Sequence, residues 1–185
     1  MQFFNTKIHK LMPYLYIGTW DTLEIPDTLR QHQLTNILAL YEQKTIEQNL
    51  LIWKRQPFEG IKVNEQIKRT HITYPDDFYV EHIAVSFEQP FTEAKITTAL
   101  NFMDTAILTG QNLLISSPYG IRDELAMVTI ACHLLKQGFP MTKIWRTILE
   151  VTDVYGFSER HWRVFIDRAD TDWETLRQLA KEIAP

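Results

Sequence analysis

Residues Ser116–Glu124 read Ser-Ser-Pro-Tyr-Gly-Ile-Arg-Asp-Glu and hold a dense set of groups able to do chemistry. Two hydroxyls (Ser116, Ser117), a guanidinium (Arg122) and two carboxylates (Asp123, Glu124) flank a turn marked by Pro118 and Gly120. The segment follows Leu113-Leu114-Ile115, a short, wholly apolar run typical of a central parallel strand. It precedes a helix predicted from about Asp123 to Lys136 and ended by Gly138. Strand, short loop, helix is an arrangement suited to anions, because backbone N–H groups converge there and the helix dipole favours negative charge. Such junctions recur in every α/β protein, so Gly120 alone does not mark a site. The expected anion-binding residues are Ser116, Ser117, Pro118, Tyr119, Gly120, Ile121 and Arg122.

The elements that must hold this loop are legible as alternating strands and helices. Strands are predicted at Leu15–Gly18, Leu34–Leu40 and His82–Val85. Helices are predicted at Pro26–His32 and Phe91–Leu108, the latter with Ile96, Leu100, Met103 and Ile107 on one face and Gly110 at its end. Three further helices, Met141–Val151, Ser158–Arg168 and Asp172–Ile183, make a helical C-terminal half, with Ser158 and Thr171 as N-caps. Between Glu42 and Tyr79 the pattern is weaker. It suggests a helix over Thr45–Trp53, a turn at Pro57–Gly60, short strands at Ile61–Val63 and His71–Thr73, and a turn at Tyr74–Asp77 that accounts for the paired acids Asp76 and Asp77. The expected fold class is α/β: a central, mostly parallel sheet flanked by helices, with ligands beyond the carboxyl ends of the strands. A chain of 185 residues suits one domain, 1–185.

Several blocks, in order, resemble the dual-specificity (cysteine-dependent) protein phosphatase family. Leu11–Gly18 is similar to that family's opening strand and Leu34–Leu40 to its second. His82–Val85 is similar to the strand before its general-acid loop, and Phe91–Leu108 to the helix before its catalytic strand. Val154–Ser158 with His161-Trp162 resembles the segment before its last core helix. The resemblance runs from about Lys7 to Arg168, with an insertion within about 42–79. A helix over about 172–183 lies beyond it.

The resemblance implies a catalytic loop of pattern His-Cys-x-x-Gly-x-x-Arg-Ser/Thr at residues 116–124. The family's His falls on Ser116, its nucleophilic Cys on Ser117, its Arg on Asp123 and its Ser/Thr on Glu124, while Gly120 is kept. Arg122 stands one place early. The general-acid Asp falls near Phe87, with Glu88 beside it as a weak substitute. A thiolate in such a loop attacks phosphorus, whereas a serine hydroxyl does not ionise near neutral pH and finds no His or Lys within the loop as base. Asp123 would aim a carboxylate where a dianion must bind. At about 4 Å and an effective dielectric near 20, such a pair costs about 4 kcal/mol per unit charge.

The implied function is therefore a catalytically inactive, phosphatase-like domain (a pseudophosphatase) serving as a binding or scaffold module. Its partners would be a phosphorylated protein or a small anion at the loop. One alternative is an active phosphatase carrying a Cys→Ser change at position 117, which leaves Asp123, Glu124 and Phe87 unexplained. Another is a different enzyme using Ser117 as nucleophile, with His82 or His133 as base. Tyr119 is the aromatic expected to close the pocket's mouth. Trp145, Trp162 and Trp173 are expected to pack between helices.

Composition narrows the classes further. A net charge of −4 supplies no basic surplus for nucleic acid. The single cysteine, Cys132, rules out an intrachain disulfide. The six histidines show no short ligand spacing, so neither metal nor cofactor is expected. The N-terminus lacks a signal-peptide pattern and no apolar run nears the ~20 residues of a membrane span. A cytoplasmic location is expected, with no membrane partner.

Overall fold

The computed structural model describes residues 8–19, 22, 26–42, 71–73, 78–150 and 157–183. Among the described residues six strands form one sheet: β1 (His9–Met12), β2 (Leu15–Gly18), β3 (Asn36–Tyr41), β4 (His71–Thr73), β5 (Tyr79–Ala84) and β6 (Leu113–Ser116). Their order is β1-β2-β6-β3-β5-β4. The four inner strands are mutually parallel, and β1 and β4 add antiparallel edges. β6, the last of these strands in chain order, lies between β2 and β3. Its carboxyl end, and the loop that follows, thus lie beside the ends of two other parallel strands.

Side chains divide by strand alternation. Leu38, Leu40, Leu113 and Ile115 face the main core, while Ile37, Ala39, Tyr41 and Leu114 face a smaller cluster built on Leu29 and Leu34 near helix α1 (Pro26–Gln31). Helices α2 (Glu93–Leu108), α3 (Glu124–Lys136), α4 (Met141–Leu149), α5 (Glu159–Ala169) and α6 (Trp173–Ile183) follow. In α3 every residue from Leu125 to Leu134 is buried, which fits a helix apolar around nearly its whole circumference. Two polar side chains in this stretch find partners: Thr129 donates to the Leu125 carbonyl at 2.8 Å, and His133 Nε2 meets the distant Tyr14 hydroxyl at 3.1 Å. Trp145 of α4 and Trp162 of α5 stack at 4.9 Å and 26°. Trp173 is only partly covered.

Most predicted elements are present with ends shifted by one to three residues. The strand expected at His82–Val85 begins at Tyr79, because Tyr79 and Val80 already pair with Asn36 and Ile37. Strand β1 was not expected. It is an edge strand paired on one side only, so burial imposes no strong pattern on His-Lys-Leu-Met. The N-cap of α6 is Asp172 rather than Thr171, since Asp172 Oδ1 accepts from Thr175 N at 2.8 Å. Ser158 precedes α5 as expected, yet its hydroxyl makes no capping bond. The strand at His71–Thr73 is present and pairs with β5, and Ile61–Val63 lies outside the described residues. The predicted helix at Thr45–Trp53 and the turns at Pro57–Gly60 and Tyr74–Asp77 also lie outside them. Among the described residues, no helix is long and apolar enough to cross a membrane.

Candidate functional site: the loop after the central strand

The loop is anchored at both ends. Ser117 N–H donates to Gly18 O at 3.1 Å, fastening the loop to the end of β2. The Ser116 hydroxyl shares a hydrogen bond of 2.8 Å with the Tyr41 hydroxyl from β3. At the far end Asp123 is the N-cap of α3, its Oδ1 accepting from Leu125 N at 3.0 Å and Ala126 N at 3.2 Å. An Asp at this position satisfies helix N–H groups that have no partner within the helix.

Between the anchors the chain makes one 3-10 turn, Gly120–Arg122. Gly120 has φ +55°, and a Cβ there would lie 3.1 Å from Thr19 Cγ2, so both backbone and space favour glycine. The N–H groups of Gly120, Arg122 and Asp123 donate to the carbonyls of Ser117, Tyr119 and Gly120. These amides are spent inside the loop rather than presented to an anion.

Ser117 and Asp123 are both buried, at 0% and 1% exposure. The Ser117 hydroxyl and the Tyr119 N–H bear on the Asp123 carboxylate and lower its proton affinity. Even so, neither Ser117 Oγ nor Asp123 Oδ2 has a hydrogen bond of good geometry among the described residues. Burial outweighs the donors and pushes the Asp123 carboxyl up from 3.8 to about 6.

Solved structures match this architecture over nearly the whole chain. Human DUSP28 is 13% identical over 95% of this chain and 94% of its own, with a TM-score of 0.53. The human tyrosine phosphatase-like serine/threonine/tyrosine-interacting protein is 14% identical over 96% of each chain, with a TM-score of 0.55. The P. aeruginosa protein TpbA is 11% identical over 97% of this chain and 92% of its own, again with a TM-score of 0.55. The fold is that of the dual-specificity and tyrosine phosphatases. At such identities the likeness establishes the architecture and leaves the chemistry of the loop to the residues in it. No family model matches the chain, and no curated protein does.

Within the phosphatase fold, the residues singled out from sequence fall as follows. Ser116, Ser117, Gly120 and Asp123 come together as one buried group. Arg122 is exposed, its side chain outside the group. Ile121 packs partly against the core. Tyr119 is 61% exposed and leans on Phe87, ring centroids 5.7 Å apart, at the outer side of the loop. Pro118 is half-buried, at the start of the turn. Glu88 is exposed, and its carbonyl accepts from Arg160 at 2.6 Å. His133 is engaged with Tyr14 and His82 sits within β5, and neither bonds the Ser117 hydroxyl. Among the described residues no cluster of His, Cys, Asp and Glu is arranged to hold a metal.

Sequence reasoning missed the clasp beside the loop. The Glu124 carboxylate accepts from the Ser158 N–H with one oxygen and meets His161 Nδ1 at 2.7 Å with the other. His161 Nε2 donates to the Phe87 carbonyl at 3.0 Å. Both partners of the ring are acceptors, so the imidazolium form donates to both and a neutral ring satisfies one. The clasp ties α3, the start of α5 and the segment after β5 together. Its partners lie 37 and 74 residues apart in the chain, so no local spacing announces it.

Proposed function

We propose that this chain is a non-catalytic phosphatase-fold module whose role is binding. The observation that carries the reading is Asp123. Where the resemblance calls for a guanidinium that grips phosphate oxygens, a buried carboxylate caps α3. It presents negative charge to any dianion, and the loop amides of Gly120, Arg122 and Asp123 are already bonded.

The nucleophile position supports the same reading. Ser117 is inaccessible, and among the described residues no histidine is hydrogen-bonded to its hydroxyl. No carboxylic acid from the segment after β5 reaches the loop, since Phe87 stands there and Glu88 points to solvent. Similarity to a protein whose own name calls it phosphatase-like and an interacting protein is consistent with a binding role. The ligand class for the loop is a small anion or the phosphate group of a protein, and the compartment is the cytoplasm.

The test is turnover of a phosphomonoester by the natural chain and by Ser117→Cys. Neither is expected to turn over, because restoring the thiol leaves Asp123 in place. Turnover by Ser117→Cys at a rate usual for this fold would overturn the reading and favour an active phosphatase altered at position 117.

A further inference from the structure

The donors at the loop are arranged around an acceptor that the chain itself provides. Four groups converge on Asp123: the N–H groups of Leu125, Ala126 and Tyr119, and the Ser117 hydroxyl. The first two belong to the N-terminus of α3, a helix of 13 residues whose dipole points into the loop. Two buried polar atoms there, Ser117 Oγ and Asp123 Oδ2, lack a hydrogen bond of good geometry among the described residues. A helix N-terminus, a converging amide and a buried hydroxyl are the components of an oxyanion site.

Resting on the non-catalytic reading above, we propose that this loop is an oxyanion site whose resident ligand is the Asp123 carboxylate, and that a small tetrahedral oxyanion competes with it for the same donors. The chain's own anion holds the site closed while it is charged. Neutralising or removing it admits an external one.

The charged groups of neighbouring elements do not supply an alternative control. Arg122 is exposed on the turn. Glu124 is held by Ser158 N–H and by His161 of α5. Arg160 of α5 is held by the Glu88 carbonyl, and the Glu88 side chain faces solvent. None of them is among the causes that set the Asp123 carboxyl, which are burial and four hydrogen-bond donors. Competition should follow the protonation of Asp123, whose midpoint lies at about 6. At pH 7.5 only a few per cent of molecules carry the neutral acid, against nearly all at pH 5. An affinity that needs the neutral form is then about thirty-fold weaker at the higher pH.

Sulfate is the probe, because its charge does not change between pH 5 and 8. Its dissociation constant is measured by calorimetry at pH 5.0 and 7.5, with chloride at equal ionic strength as the blank. The natural chain should bind sulfate at pH 5.0 and about thirty-fold more weakly at pH 7.5. Asp123→Ser keeps a helix cap while vacating the site, and should bind at both pH values with little change between them. Histidines that gain charge over the same range act on both proteins alike, so the ratio between the two proteins isolates Asp123. Ser117→Ala should weaken binding at pH 5.0 by removing one donor.

Equal pH dependence in the natural chain and Asp123→Ser, or no sulfate binding by either, overturns the proposal. Should Asp123→Ser fail to fold, Asp123→Asn, which retains the capping oxygen, must lose the thirty-fold pH dependence. A retained dependence overturns the proposal equally. The two readings fail separately. Phosphomonoester turnover sinks the non-catalytic reading, whereas absence of both turnover and sulfate exchange sinks only the resident-ligand inference.

Discussion

Replacing Asp123 by Asn is expected to stabilise this protein at neutral pH, although the residue is a helix cap. Burial raises the carboxyl from 3.8 to about 6, so the folded chain holds that proton more tightly than the unfolded chain does. Between about pH 3.8 and 6 the folded state binds more protons. The stability this group contributes is therefore fully present below 3.8, declines as pH rises through the window, and is gone above about 6. A gap of about two pH units, at about 1.4 kcal/mol each, makes the ionised carboxylate a net burden of about 3 kcal/mol at pH 7.5. Asn keeps an oxygen for the N–H groups of Leu125 and Ala126 and drops the charge. Its amide nitrogen faces Ser117 in place of an oxygen, and imperfect placement there will return part of the gain. The expected benefit is about 1–3 kcal/mol at pH 7.5, shrinking towards zero near pH 4. Urea unfolding of both proteins from pH 4 to 8 measures it. His82, lowered to about 4 by burial, acts in the opposite sense, because the unfolded chain binds more protons between about 4 and 6.5. That contribution is common to both proteins and cancels in their difference. An Asn variant less stable than the natural chain at pH 7.5, or a difference that does not vary with pH, would show that the charged carboxylate stabilises the loop. The reasoning from burial would then be wrong.

The clasp gives a second test: His161→Ala and Glu124→Gln should each lower stability by about 1–3 kcal/mol, since each leaves a largely buried partner unsatisfied. Together they should cost clearly less than their sum in a double-mutant cycle by urea unfolding, and strict additivity would count against a shared bond. Gly120→Ala places a side chain at φ +55° and 3.1 Å from Thr19 Cγ2, so a loss of about 1–2 kcal/mol is expected by the same measurement. Cys132, buried in α3 with its thiol pushed up to about 12, should resist a disulfide reagent in the native protein and react fully in urea.

The parts of the fold legible in the sequence are those where burial acts on both faces of an element. Leu113-Leu114-Ile115 has neighbours on each side of the sheet and reads as a central strand, and the run Leu125–Leu134 reads as the central helix. Elements that answer to one neighbour only, such as β1, carry no such pattern. Within the loop, the residue types at 117 and 123 were enough to single out the positions on which the proposed non-catalytic reading rests, but not how the structure uses them. The apolar pattern alone does not separate Asp123 from the first turn of α3. An acidic residue directly before Glu-Leu-Ala-Met is an N-cap pattern, and taking it so would have turned the carboxylate onto the N–H groups of Leu125 and Ala126. The clasp was beyond reach because Glu124, His161 and Phe87 meet only through the packing of three separate segments.

The exchange of guanidinium for carboxylate at position 123 changes what holds the loop together. A cradle kept ready for a dianion must leave several N–H groups directed at empty space or water, a cost the ligand removes when it binds. Here those donors have been divided among acceptors of the chain itself: Gly120, Arg122 and Asp123 donate to loop carbonyls, and Leu125 and Ala126 to the Asp123 side chain. Glu124 extends the same logic outward, anchoring α3 to α5 through Ser158 and His161. The two acidic residues thus replace contacts that a substrate would otherwise complete. It follows that restoring a cysteine at 117 alone leaves the donors engaged. On the non-catalytic reading proposed above, catalysis would require an arginine at 123 and a new cap for α3 as well, and coupled changes rather than one missing nucleophile would separate the loop from phosphatase chemistry.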